Sequence, residues 1–349
     1  MTTPANIRTL TLEELKNYLI SINEKPFRAK QIMEWLWQKK ARSFDEMSNL
    51  SKLLRQKLAN DFTFPYLEIS HRQISRDGTI KFGFQLFDGH HIEGVLIPTT
   101  DRITACVSSQ VGCSLTCKFC ATGYLPMKRN LFPFEIFDQV VIIGDEAERE
   151  YGQSLSNIVY MGMGEPLLNY KNVLDSIYII TSPEGLGMSP RRITVSTAGI
   201  AKMIKKLGDD NVKFEFALSL HAANDNKRNE IMPINESNSL EALAEALKYF
   251  YEKTGTRVTY EYIIFDGFND TLEDAKELSA FARIVPSKIN IIEYNPIAEA
   301  DFVNVKEERL NAFIQYLESK HHIVNVRRSR GKDVDGACGQ LALKVKKVQ

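Results

Sequence analysis

"RRITVSTAGIAKMIKKLGDDNVKFEFALSL", residues 191–220, holds one full round of the repeat on which this chain is built. An apolar run with β-branched Ile193 and Val195 ends in the small polar residues Ser196 and Thr197. A helical segment follows over 199–207, and a second apolar run, "KFEFALSL", begins at Lys213. Strand, helix and strand joined by connections this short predict two parallel strands covered by the helix between them. The pattern extends both ways. Strands are expected in "ITACVSS" (103–109), "SNIVYMG" (156–162), "RVTYEYIIF" (257–265), "KINIIEYN" (288–295) and "HIVNVRRS" (322–329), with helices over 133–150, 170–181, 238–253, 271–284 and 305–320. Six such units predict an α/β fold, a partial (β/α)6 barrel that stays open rather than closing eight-fold.

Outside the repeat the period changes. Leu12, Leu15, Tyr18 and Leu19 have helical spacing, and "KPFRAKQIMEWLWQKK" places Ile32, Trp35 and Leu36 on one face. Residues 66–98 alternate and turn at "RDG" and "FDG", the signals of antiparallel hairpins. The expected organisation is a helical accessory domain over 1–65, a β-hairpin connector over 66–98, the barrel over 99–335 and a C-terminal segment over 336–349.

The 349 residues, 44% of them hydrophobic, suffice for a large core. No stretch approaches the ~18 apolar residues of a membrane span, and the N-terminal residues lack a basic segment leading into an apolar one, so a cytoplasmic protein is expected. In that compartment clustered cysteines are ligands or catalysts more often than disulfide staples. With 44 basic and 44 acidic residues, any contact with nucleic acid must use local patches. Candidates are Lys25, Arg28 and Lys30; Lys128 and Arg129; Arg191 and Arg192; Arg327, Arg328, Arg330 and Lys332; and Lys344, Lys346 and Lys347 in the tail. Each taken alone is equally a solvated surface.

In parallel barrels the reactive groups collect where strands end. The unusual residues of this chain fall there: four cysteines within residues 106–120, "GMGEP" at 162–166, Ser196, Ser219 to His221, Asn295, and Cys338 beyond the last strand. Cys113, Cys117 and Cys120 form C-x3-C-x2-C. Three thiolates on one loop can serve an iron-sulfur cluster with one iron left open, or three corners of a zinc site. The first option resembles the radical S-adenosylmethionine (SAM) superfamily, including the aromatic residue before the last cysteine, here Phe119.

A closer resemblance is carried by "CVSSQVGCSLTCKFCATG", "GMGEPLLN", "ITVSTAGI", "FALSLHAAND", "YNP" and "GACGQL". Together they look like the RlmN family, methyltransferases acting on adenine C2 of 23S ribosomal RNA and tRNA. The likeness runs from about residue 90 to the end and fits the helical N-terminal region. The related Cfr enzymes, which methylate C8, share the cysteine plan, and a zinc-stabilised RNA-binding module without catalysis is the alternative of another class.

The RlmN resemblance implies a [4Fe-4S] cluster on Cys113, Cys117 and Cys120, and two SAM molecules per turnover. It implies SAM contacts from Gly164, Glu165, Ser196, Ser219, Leu220, His221 and Asn295. Cys338 would receive a methyl group, and its radical would add to the adenine as a protein–RNA adduct. Glu93, in "HIEGVLIP", would take the C2 proton, and Cys106 would attack the sulfur of Cys338, closing a disulfide and releasing the product. A monomer, served by a flavodoxin- or ferredoxin-type electron donor, with no membrane partner, completes the expectation.

Overall fold

The computed structural model describes residues 4–343. Lys344, Lys346 and Lys347 of the basic tail lie outside the described residues. One ten-stranded sheet organises the chain: β1 (Glu68–Ile74), β2 (Ile80–Gln85), β3 (His91–Pro98), β4 (Ile103–Cys106), β5 (Asn157–Tyr160), β6 (Ile193–Thr197), β7 (Glu215–Ser219), β8 (Val258–Ile264), β9 (Ser287–Glu293) and β10 (Val324–Arg327). Each strand pairs with its sequence neighbours. From β4 to β10 every pairing is parallel, so each connection must cross back over one face.

Helices make those crossings: α4 (Pro133–Tyr151), α5 (Tyr170–Thr181), α6 (Ala201–Asp209), α7 (Asp225–Ile231) with α8 (Leu240–Thr254), α9 (Leu272–Ala282) and α10 (Glu307–Ser319). Six strand–helix units followed by a seventh parallel strand form an open (β/α)6 barrel, since β10 does not pair with the other edge of the sheet. All seven residues of β8 are buried, as expected of a central strand covered on both sides. The core is continuous from the helical N-terminal region through the barrel.

Residues 68–98 form three antiparallel strands that extend the barrel sheet itself. β3 pairs with β4, matching Val95 with Cys106. Glu93 and Cys106 thereby lie on adjacent strands near the same end of the sheet.

The N-terminal region contains α1 (Leu12–Ser21), α2 (Arg28–Met33) and α3 (Lys52–Asp61). α2 runs on into a π-helical turn, Glu34–Gln38, in which Lys39 donates its N–H to the carbonyl of Glu34. The wider turn advances the inward face by one residue. Trp37, not the expected Trp35, therefore joins Ile32 and Leu36 in the core, while Trp35 stays partly exposed under the ammonium of Lys39 at 4.3 Å. Arg8 ties this region to α4: its Nη1 and Nη2 meet the carboxylate of Asp138 at 2.8 and 2.6 Å, both residues being buried. Trp37 and Phe134 flank the guanidinium. Removing one partner of such a pair strands a buried charge at a cost of about 3–5 kcal/mol.

Candidate active site

The loop after β4 carries the three clustered thiols. Thr116 takes a positive φ of 50°, and Cys120 donates its N–H to the carbonyl of Cys117. Cys113, Cys117 and Cys120 all line one cleft of about 160 Å³, open to solvent at its mouth. Burial pushes the Cys113 thiol up to about 11 and raises Cys117 and Cys120 as well, with repulsion from the neighbouring loop thiolates adding to it at Cys113 and Cys117 and from Cys338 at Cys120. Binding a metal group would release their protons. Among the described residues no three His, Cys, Asp or Glu side chains are arranged around one metal ion. A polynuclear cluster held by these thiolates would not require them to converge on one point.

The opposite wall consists of strand ends. Gly162, Gly164 and Glu165 follow β5, Ser196 and Thr197 end β6, Ser219 ends β7, and His221 follows it; all line the cleft. Gly164 has a φ of +93°, and a Cβ there would lie 2.4 Å from the side chain of Gln110, so only glycine fits. Glu165 is buried and accepts the N–H groups of Leu167 and Ala198 at 2.9 and 2.7 Å. Burial raises its carboxyl above the ordinary range, opposed by those bonds. The hydroxyls of Ser196 and Ser219 are 3.3 Å apart. His221 accepts the N–H of Ile263 on Nδ1, and burial lowers its pKa to about 3, helped by the nearby Arg228 guanidinium. The ring is therefore neutral and carries its proton on Nε2.

Two of the expected contacts stand beside the cleft rather than in its lining. Leu220 is buried in the core and does not line the cleft; its backbone carbonyl accepts from Arg228. Asn295 does not line it either, and its Nδ2 donates to the carbonyl of Cys338 at 3.0 Å.

Cys338 stands between this cleft and a second one of about 270 Å³. The second cleft is lined by Cys106, Val95, Leu341 and the guanidinium-bearing residues Arg102, Arg327, Arg328 and Arg330. Burial raises both thiols, and Arg327 opposes the rise at each. All five cysteines are free. The segment bearing Cys338 is seated by bonds from Ala121 N to Gly339 O, Thr122 Oγ1 to Leu341 O, and Ala342 N to Glu93 Oε2, at 2.7, 2.7 and 2.9 Å. Glu93 is fully buried, with Lys81 Nζ at 2.8 Å from Oε1.

The sequence reading missed three charged groups. Arg228, buried in α7, reaches the carbonyls of Ala198, Ser219 and Leu220 at the ends of β6 and β7, and places a cation near Cys117. Glu261 accepts from Asn290 and Arg327 at 2.8 and 3.1 Å. A lone carboxylate inside the apolar run "VTYEYII" was a usable signal for Glu261. No sequence signal marks Arg228 or Lys81.

Three thiols on the loop after the first parallel strand of an open barrel, facing a cleft ringed by strand ends, define a radical SAM enzyme. Residues 107–280 match the model of the radical SAM superfamily, and residues 5–63 match that of the ribosomal RNA large subunit methyltransferase N-terminal domain. The "Probable dual-specificity RNA methyltransferase RlmN" of Cytophaga hutchinsonii is 63% identical, covering 97% of this chain and 93% of its own. The protein of the same description from Bacillus velezensis is 43% identical with the same coverages. A crystal structure of a radical SAM methyltransferase from Sphaerobacter thermophilus superposes with a TM-score of 0.91 at 40% identity, covering 97% of this chain and 99% of that one. The chain belongs to the RlmN family of radical SAM RNA methyltransferases. Membership of an enzyme family removes the reading as a non-catalytic zinc module.

Proposed function

We propose that this protein methylates adenine C2 in 23S ribosomal RNA and in tRNA, with Cys338 as the carrier of the new carbon. The observation that supports this most is the position of Cys338, on the wall shared by two clefts: one faces the three cluster thiols, the other faces Cys106 and four arginines. A group loaded from the first side can be delivered on the second.

Cys113, Cys117 and Cys120 would hold the cluster. Gly164, Glu165, Ser196, Ser219 and His221 would hold SAM, with Glu165 suited to its ammonium and the neutral His221 to hydrogen bonding. Bound there, these cofactors supply a methyl group and an organic radical. Leu220, through its backbone, and Asn295, whose buried Oδ1 has no partner among the described residues, complete the proposed SAM contacts, and Asn295 Nδ2 also holds the Cys338 carbonyl.

The chain's own residues do the rest. The target base is unstacked into the second cleft, where the exposed Arg102 and Arg328 meet backbone phosphates. Cys338 and the adenine share the transferred carbon as a thioether adduct. Glu93 accepts the C2 proton. The Cys106 thiolate then attacks the sulfur of Cys338: an S–S bond forms, the S–C bond breaks, and its electron pair passes to the carbon left on the base, which takes up a proton. In the same reading residues 1–65 contact RNA, 66–98 connect, and 336–349 carry Cys338. The protein works as a cytoplasmic monomer with a flavodoxin- or ferredoxin-type donor. No helix among the described residues is long and apolar enough to cross a membrane.

The site of methylation is tested by nucleoside mass spectrometry on RNA treated with the reconstituted protein. The expected product is 2-methyladenosine from both RNA classes. 8-Methyladenosine would transfer the chain to the Cfr-like activity instead.

A further inference from the structure

Glu93 has buried polar neighbours that the mechanism above does not explain. On β1, β2 and β3 the residues His71, Gly83 and Glu93 are matched in one row. A side chain at the middle position would block the outer two from each other. Glycine leaves that space free, and the imidazole of His71 occupies it: a Cβ built on Gly83 would lie 1.9 Å from Cε1 and 2.1 Å from Nδ1 of His71. Across the gap, His71 Nε2 comes within 3.9 Å of Glu93 Oε1. That nitrogen is buried without a hydrogen-bond partner, although the side chain as a whole keeps 20% of its exposure. Its Nδ1 is 3.3 Å from the hydroxyl of exposed Ser70. His71 thus has one end against Glu93 and the other toward solvent.

Lys81 is the third member of this group. It is fully buried, two residues before Gly83 on β2, and its ammonium meets the same Oε1. Once Glu93 takes a proton it no longer balances Lys81, and a buried cation without a counter-charge is strongly disfavoured. The acid form of Glu93 is therefore driven to pass its proton on. Glu93 Oε2 is occupied by the N–H of Ala342, so the transfer must leave by the Oε1 side, where His71 stands.

We propose that His71 is the proton exit of this enzyme: it relays to solvent the proton that Glu93 removes from the adenine, through the space left by Gly83. The inference rests on the reading of Glu93 as the proton acceptor. In the step itself the O–H bond of the Glu93 acid breaks and an N–H bond forms at Nε2. The imidazolium then releases its Nδ1 proton past Ser70 to water, and the ring returns to its starting charge in the other tautomer. A reach of 3.9 Å closes by a small side-chain movement or one water, and such contacts are often long before the substrate is bound. The charged groups facing His71 are Glu93, which raises its pKa, and Lys81 and His91, which lower it; burial, the largest influence, also lowers it, so the ring is a neutral acceptor at pH 7.

The test follows resolution of the protein–RNA adduct in the full-length, cluster-loaded enzyme. His71→Ala should slow resolution by at least ~10-fold, less than the ~10²–10⁴-fold attributable to a positioned base. Added imidazole should restore it, and more effectively above pH 7, where free imidazole is neutral and can accept the proton; the acid-side fall that comes from Cys106 should remain in both proteins. Gly83→Ala should reproduce the defect by displacing the ring, yet cost nothing further in a His71→Ala background. Independently of activity, NMR titration of the full chain without cofactors should show the His71 pKa falling on Glu93→Gln, because an anion beside it has been removed. An unchanged rate in His71→Ala, or a loss that imidazole does not restore, would overturn the relay. Glu93→Gln separates the two readings: if it resolves normally, Glu93 itself is wrongly assigned, whereas a stalled Glu93→Gln beside a normal His71→Ala removes the relay alone.

Discussion

A Cys106→Ala protein expressed in cells is expected to come out of purification with RNA covalently attached, while Cys338→Ala and the Cys106→Ala, Cys338→Ala pair come out without it. The difference follows from where the two thiols stand. Cys338 faces both clefts and so can be loaded on one side and joined to the base on the other; Cys106 faces only the second and can act only on what has already formed there. Losing the resolving thiol leaves a thioether that no other free cysteine in that cleft can attack. The effect should be near complete. Packing does not mimic it, because Cys→Ala at the end of β4 removes a single sulfur from a strand held on both sides by Val95 and Val159, a change worth about 1 kcal/mol. Since burial raises the Cys106 thiol and attack requires the thiolate, resolution in the wild type should speed up as pH rises. Denaturing gels with and without ribonuclease read the outcome. A Cys106→Ala protein free of RNA and turning over normally would make Cys106 a packing residue.

The second large effect belongs to the cluster loop. Alanine at Cys113, Cys117 or Cys120 is expected to bring iron and acid-labile sulfide to background in anaerobically reconstituted protein, while circular dichroism stays that of the folded barrel. The three thiols line the cleft rather than the main core, so their loss removes ligands without opening the strands beneath. Full iron content in any one of the variants would contradict the assignment of all three as ligands.

How far the sequence could be read depended on whether a property is periodic or assembled. The barrel was legible because apolar β-branched runs alternate with helices that carry an apolar face, and Ile193–Thr197 with Ala201–Asp209 shows both within seventeen residues. The C-x3-C-x2-C loop was legible because its ligands are neighbours in sequence. Trp35 was misplaced because a π-turn, which leaves no mark in the residue pattern, shifts the helix face by one position. Arg228 and Lys81 could not be found because an isolated basic residue reads as surface until tertiary pairing buries it. The row of His71, Gly83 and Glu93 spans three strands, and only their register brings it together.

The most direct measurement is the mass of the peptide containing Cys338 after incubation of the loaded protein with SAM bearing an isotopically labelled methyl group. The account predicts one labelled methyl on Cys338, none on Cys106, and the same label later in the adenine ring substituent of the RNA. Labelled RNA formed while Cys338 stays unmethylated, or a methyl found on Cys106 in its place, would contradict it.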